Sequence, residues 1–129
     1  MKMQRLTPVL IVDAIEPVLP FWVDRLGFRK TTEVPHEDHL GFVVLERDDV
    51  QVMYQTKSSV AGDVPPLASS PQRGTFLYIE VDDLDAVVNA CKDVIPVIPR
   101  RKTFYGADEL IVREPGGNVV TFSQFKSEG

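Results

Sequence analysis

The feature that most limits what this chain can fold into is an internal repeat. The stretch LTPVLIVDAIEPV, residues 6–18, lies over TFLYIEVDDLDAV, residues 75–87, at an offset of 69 residues. Val12 meets Val81, Asp13 meets Asp82, Ile15 meets Leu84, Glu16 meets Asp85 and Val18 meets Val87. Each copy reads as an apolar run, an acid and then a helical pattern. A repeat of this kind is one supersecondary unit used twice, so whatever one half folds into predicts the other.

The helical patterns have the right period. Ile15, Val18, Leu19, Trp22 and Leu26 fall at i, i+3, i+4, i+7 and i+11, and Leu84, Val87, Val88 and Cys91 at i, i+3, i+4 and i+7. Asp13 and Asp82 are expected as N-caps, because a carboxylate there accepts the free amides of the first turn. Glu16 and Asp85 stand three residues later, near the capping-box position. Pro17 suits an opening turn. Pro20 lacks the amide that would bond the Glu16 carbonyl, so an irregular or kinked first helix is expected.

Three strand-like segments follow each helix. They span 27–35, 40–47 and 50–56 in the first half, and 95–104, 109–114 and 118–124 in the second. PHED, RDD, YGAD and EPGGN separate them as turns. Each half is therefore βαβββ, with module 1 at about 5–56 and module 2 at about 75–125. Residues 57–74, KSSVAGDVPPLASSPQRG, are rich in Pro, Ser and Gly and read as a linker rather than an element. The closing KSEG reads as a frayed tail. At 129 residues, 43% apolar and 26% charged, the chain is expected to form a single globular domain over 1–129.

Strand alternation sorts side chains onto two faces. Val50, Val52 and Tyr54 share the more apolar face of their strand, which should pack on helices. Gln51, Met53 and Gln55 share the other. In the last strand Val120 and Phe122 oppose Val119, Thr121 and Ser123. Repeat logic places Leu6, Pro8, Leu10 and Val12 toward a helix, together with Leu77, Ile79 and Val81. Thr7, Val9 and Ile11, with Phe76, Tyr78 and Glu80, then face a concave side that is partly polar and partly aromatic. A cleft of that kind is the default place for a small ligand.

Charge and cysteine content narrow the function further. Fourteen basic and nineteen acidic residues leave a formal charge of −5, with no general pull on nucleic acid or anionic membranes. A single cysteine, Cys91, excludes an internal disulfide and a cysteine-cluster zinc site. No signal peptide or membrane-spanning apolar run is seen, so a cytoplasmic protein is expected.

FWVDRLGF (21–28), VDDLD (81–85) and YGADELIVREPGGNVVTF (105–122), set in two βαβββ modules, resemble the vicinal-oxygen-chelate superfamily. That superfamily includes glyoxalases, bleomycin-resistance proteins and extradiol dioxygenases. The resemblance implies an α+β fold in which two βαβββ modules form a curved mixed sheet with helices on its convex side. It also implies, for the superfamily's enzymes, a divalent metal held by His, Gln or Glu on the concave face. Carried onto this chain, those positions are Thr7, one of Gln51, Met53 or Gln55, then Phe76, then Thr121. Phe76 cannot ligate, and a threonine hydroxyl is a poor ligand beside imidazole or carboxylate. No metal and no cofactor are expected on that basis.

The resemblance thus points to a metal-free binding protein of the bleomycin-resistance type, acting by sequestration as an antibiotic-resistance-like homodimer. Its ligand is expected to be a cationic or aromatic small molecule. Phe76, Tyr78 and Tyr105 are expected to stack on it, with Phe42 and Met53 lining the site. Thr7, Gln51, Gln55 and Thr121 would orient it by hydrogen bonds. Two alternatives are a glyoxalase- or lyase-type enzyme with an atypical metal site, and a dimeric interaction module with no ligand.

Other residues are read as structural. His36 and His39, with Glu37 and Asp38 between them, read as a solvated turn. Cys91 reads as a buried, inert thiol. Ser123 has no visible triad partners, and Arg100, Arg101 and Lys102 read as a solvated charge run. Gly116-Gly117 precedes no helix and is not a phosphate loop.

Overall fold

The computed structural model describes residues 1–69 and 74–125. Residues 70–73, the end of the expected linker, and the 126–129 tail lie outside the described residues. The chain forms two compact units, Met1–Arg73 and Gly74–Gly129. In the first, β1 (Val9–Val12), β2 (Arg29–His36), β3 (His39–Arg47) and β4 (Val50–Thr56) make one four-stranded sheet in the order β1-β4-β3-β2. In the second, β5 (Phe76–Glu80), β6 (Arg101–Lys102), β7 (Ala107–Arg113) and β8 (Val119–Phe125) repeat that order as β5-β8-β7-β6. The strand leading into the helix runs parallel to the last strand of its unit; the other neighbours are antiparallel. This is the βαβββ module anticipated from the repeat, formed twice.

The connection after β1 is irregular, as Pro17 and Pro20 require. Glu16–Val18 is a 3-10 turn and Pro20–Arg25 a π-helical stretch. Changing the helical pitch also changes the buried stripe. Ile15, Val18, Phe21, Trp22 and Leu26 are buried, whereas Leu19, expected inside, is only half-buried. Trp22 packs edge-on against Phe21 and Phe28 and donates its indole N–H to the Tyr54 hydroxyl at 2.9 Å. That bond fixes the helical segment on the sheet face carrying Leu10, Val12, Val43, Leu45, Val52 and Tyr54, all buried. Leu6, expected on this face, is instead exposed and precedes β1.

Neither expected N-cap is used as such. The 3-10 turn has no side-chain cap, and Asp13 instead pairs with Lys57 at 3.0 Å. Glu16 accepts the Leu40 amide at 2.8 Å. In the second unit α2 (Leu84–Ala90) is capped by Asp83, whose carboxylate accepts from the Ala86 amide at 3.1 Å, not by Asp82. Gln124 spans this turn, accepting the Leu84 amide at 2.8 Å and donating to the Asp82 carbonyl at 2.9 Å. Leu84 and Cys91 are buried where α2 packs on β7 and β8.

Two further expectations are corrected. The stretch read as a linker begins with a helix, α1 (Lys57–Asp63), and Pro65–Leu67 forms a 3-10 turn. Thr56 caps α1 through Ser59, and Val60 is buried beneath it. The segment 95–104 is not one strand. Pro96 and Pro99 remove ladder donors, leaving a bridge between Pro96 and Val112, a bond from the Val97 amide to the Ile111 carbonyl and the two-residue β6.

Candidate functional site

In the first unit the expected site residues share the sheet face that does not carry Trp22. Register aligns Val9, Met53 and Val44 in one row, and Ile11, Gln55 and Phe42 in the next. Thr7 precedes β1 and donates its hydroxyl to the Gln51 amide oxygen at 2.6 Å. The Gln51 amide nitrogen donates to Glu46, its partner across β3. Gln55 is drawn toward α1, donating to the Ser59 hydroxyl at 3.1 Å. Thr7, Phe42, Gln51, Met53 and Gln55 are all half-buried.

The second unit presents the matching face. Phe76 stands opposite Val119, Tyr78 opposite Thr121 and Glu80 opposite Ser123. Ser123 in turn pairs with Glu109, and Glu109 with Arg101. Phe76 and Tyr78 are 83% and 52% exposed, so their rings are available. Gly106 adopts φ +85°, a left-handed backbone that glycine takes without strain. This reversal lays Tyr105 beside Phe125, with ring centroids 6.3 Å apart, and over Glu109.

Glu109 is the residue that sequence reasoning missed. Its side chain is 1% exposed. One carboxylate oxygen accepts from the Tyr105 hydroxyl at 2.7 Å and from Ser123 at 3.3 Å, and Arg101 donates to the other at 3.2 and 3.1 Å. Burial pushes the Glu109 carboxyl up, but the bonds from Tyr105, Arg101 and Ser123 outweigh it and hold the group below the usual carboxylate range. The same bond to Glu109 raises Tyr105, so its phenol keeps its proton. Alternation in ADELIVR sets Glu109 in phase with Ile111, a local signal for its face but not for its burial. Its burial depends on three partners that no local pattern reveals. Arg101, read as part of a solvated run, is one of them.

The remaining charges and thiol are placed differently. Arg100 bonds Asp108 at 3.1 and 2.9 Å and Asp85 at 2.8 Å. Those bonds to Asp108 and Asp85 raise the Arg100 pKa, and the bond from Arg100 lowers that of Asp108. These residues, with Lys102 and Gln124, line an open polar cleft of about 450 Å³ beside α2. Cys91 is buried, as expected. Glu37, Asp38 and His39 bring three possible ligand atoms within 4.8 Å of one another, on an exposed turn.

Register also narrows which residue of the first unit matches Thr121. Val9 and Tyr78 correspond through the repeat; Val9 pairs with Met53 and Tyr78 with Thr121. Met53 therefore holds in the first unit the place of Thr121 in the second. A set of Thr7, Met53, Phe76 and Thr121 contains neither imidazole nor carboxylate, and does not fit a divalent zinc or iron centre.

Two units that each wrap one helical connection and a 1-4-3-2 mixed sheet define the class of paired βαβββ proteins. The family model of the Glyoxalase/Bleomycin resistance protein/Dioxygenase superfamily matches residues 4–122, and the chain belongs to that superfamily. Among solved structures it is similar to a bleomycin-binding protein from bleomycin-producing Streptomyces verticillus complexed with copper(II)-bleomycin. That likeness has 25% identity and a TM-score of 0.65, with 99% of each chain covered. It is also similar to a bleomycin resistance determinant encoded on the transposon Tn5 (18% identity, TM-score 0.68, 97% of this chain and 100% of that one). A lactoylglutathione lyase from Agrobacterium tumefaciens shares the fold at 14% identity and a TM-score of 0.74, over 96% and 95% of the two chains. A search of curated protein sequences returns no match. Among the described residues no helix is long and apolar enough to cross a membrane.

Proposed function

We propose that this chain binds a small aromatic or cationic molecule and holds it without chemical change, as a metal-free, resistance-type member of its superfamily. The observation that carries the reading is the donor set: Thr7, Met53, Phe76 and Thr121 stand at the positions where the superfamily's enzymes are expected to place metal ligands. The nearby glutamines are already engaged, Gln51 by Thr7 and Glu46, and Gln55 by Ser59. Exposed rings at Phe76, Tyr78 and Tyr105 supply stacking surface. The likeness to a bleomycin-binding protein supports binding over turnover. Cytoplasmic residence, expected from the sequence, and a homodimeric state, implied by the resemblance, complete the proposal.

The test is the metal content of the purified, untagged protein, before and after exposure to zinc, manganese, nickel and iron(II), with melting temperature followed in parallel. The expected result is no stoichiometric metal and no shift with EDTA. About one ion per chain, with a melting point lowered by EDTA, would overturn the proposal in favour of a glyoxalase- or lyase-type enzyme with an atypical site.

A further inference from the structure

The hydroxyls on the second unit's open face have a forced direction. An ionised carboxylate only accepts hydrogen bonds. Tyr105 and Ser123 both contact Glu109, so both must donate to it. With its proton committed, the Ser123 oxygen can only accept, and Tyr78 must donate to it at 2.8 Å. Both phenol protons therefore point inward, which leaves the Tyr78 oxygen, and the Tyr105 oxygen beside the Thr103 hydroxyl, as acceptors for whatever lies on the face. Arg101 cannot reverse this order, because a guanidinium only donates.

We infer that Glu109 is a specificity-determining positioning residue: it turns the Tyr78 and Tyr105 hydroxyls so that the face accepts hydrogen bonds, and so selects ligands carrying a cationic donor group such as an amidinium or primary ammonium. The inference deepens the small-molecule reading and rests on it.

Three further features agree with that class of ligand. Glu80 is exposed on the same face, in register with Ser123, and adds a carboxylate at the same end. The rings of Tyr78 and Tyr105 are about half exposed, and a cation above such a ring is attracted by its quadrupole. The cations on this face do not compete there. Arg101 is spent on Glu109, and Arg113 is in register with Val119, four residues or about 13 Å along β8 from Ser123. Thr121, between the two ends, can donate or accept and leaves the preference unchanged.

The experiment uses three probes of one shape on the full chain: benzamidine, benzamide and benzoate, each titrated and followed by NMR. The wild type should prefer benzamidine over benzoate by about tenfold or more, equivalent to about 1.4 kcal/mol. E109Q gives the hydroxyls a side chain that can also donate, and S123A frees the Tyr78 proton to turn outward. Each should reduce the benzamidine-to-benzoate ratio at least about threefold, chiefly by strengthening benzoate. S123A removes only a hydroxyl, so it keeps the test open if E109Q fails to fold. A merely structural role for Glu109 would weaken all three probes alike and leave the ratio unmoved, which overturns the inference. Equal wild-type binding of the three probes would overturn it too, while sparing the small-molecule reading. Absence of binding by any probe to a folded wild type would overturn both.

Discussion

Tyr78 combines two functions in one side chain. Its hydroxyl is tied to Ser123, while its ring is 52% exposed. Removing that ring opens no cavity in the core, so Tyr78→Ala should leave the melting temperature nearly unchanged and weaken binding of an aromatic probe about tenfold, in line with the loss of one stacking partner. Unchanged affinity would show that the assigned face is not the site. Glu109 makes a different prediction, in pH. Its folded form is held below the usual carboxylate range, whereas in the unfolded chain it titrates near about 4.3. The folded state then resists protonation. The stabilisation is present above about pH 4.3 and is lost as pH falls through the lower folded value. Glu109→Gln removes this dependence. The gap in melting temperature between wild type and E109Q should narrow from about pH 5 to about pH 3; two parallel curves would mean that Glu109 carries no such linkage.

At the scale of elements, the start of α2 shows how finely a cap must be placed. Asp82 and Asp83 are adjacent acids, and the repeat favoured the first. The backbone puts the second where its carboxylate reaches the Ala86 amide. Asp83→Ala should therefore cost about 1 kcal/mol in urea unfolding, whereas Asp82→Ala should stay within about 0.5 kcal/mol of wild type. Equal effects would mean that the cap is shared. The strands were legible because period-2 alternation and turn residues mark them. Two elements were not, for identifiable reasons. Helix α1 lies in a stretch dominated by Ser, Gly and Pro, which masks the local cap that Thr56 gives it, and it is held by the burial of Val60 against the sheet, a tertiary fact. The 95–104 segment has strand-like apolar residues, but its prolines interrupt the ladder.

At the scale of the whole molecule, alternation and repeat logic grouped Thr7, Gln51 and Met53 with Phe76, Tyr78 and Thr121 on the mixed, partly polar side of the strands. They could not reveal Glu109 at the centre of the second unit's face. A buried carboxylate becomes visible only once the strands bring Tyr105, Ser123 and Arg101 around it. The molecule's net charge of −5 offers a competing explanation for any preference for cations. The two explanations separate with salt. Long-range attraction to a net acidic protein is largely screened once the Debye length falls to a few ångströms, near about 1 M ionic strength. Oriented hydroxyls in direct contact with a ligand are screened far less. Titrating benzamidine and neutral benzamide from about 0.01 M to about 1 M salt should thus shrink the affinity ratio without abolishing it. A ratio that falls to one at high salt would assign the preference to net charge and leave the hydroxyl array without a role in selection. A ratio that persists in the wild type and is lost in S123A would place the discrimination at the Tyr78–Ser123–Glu109 chain.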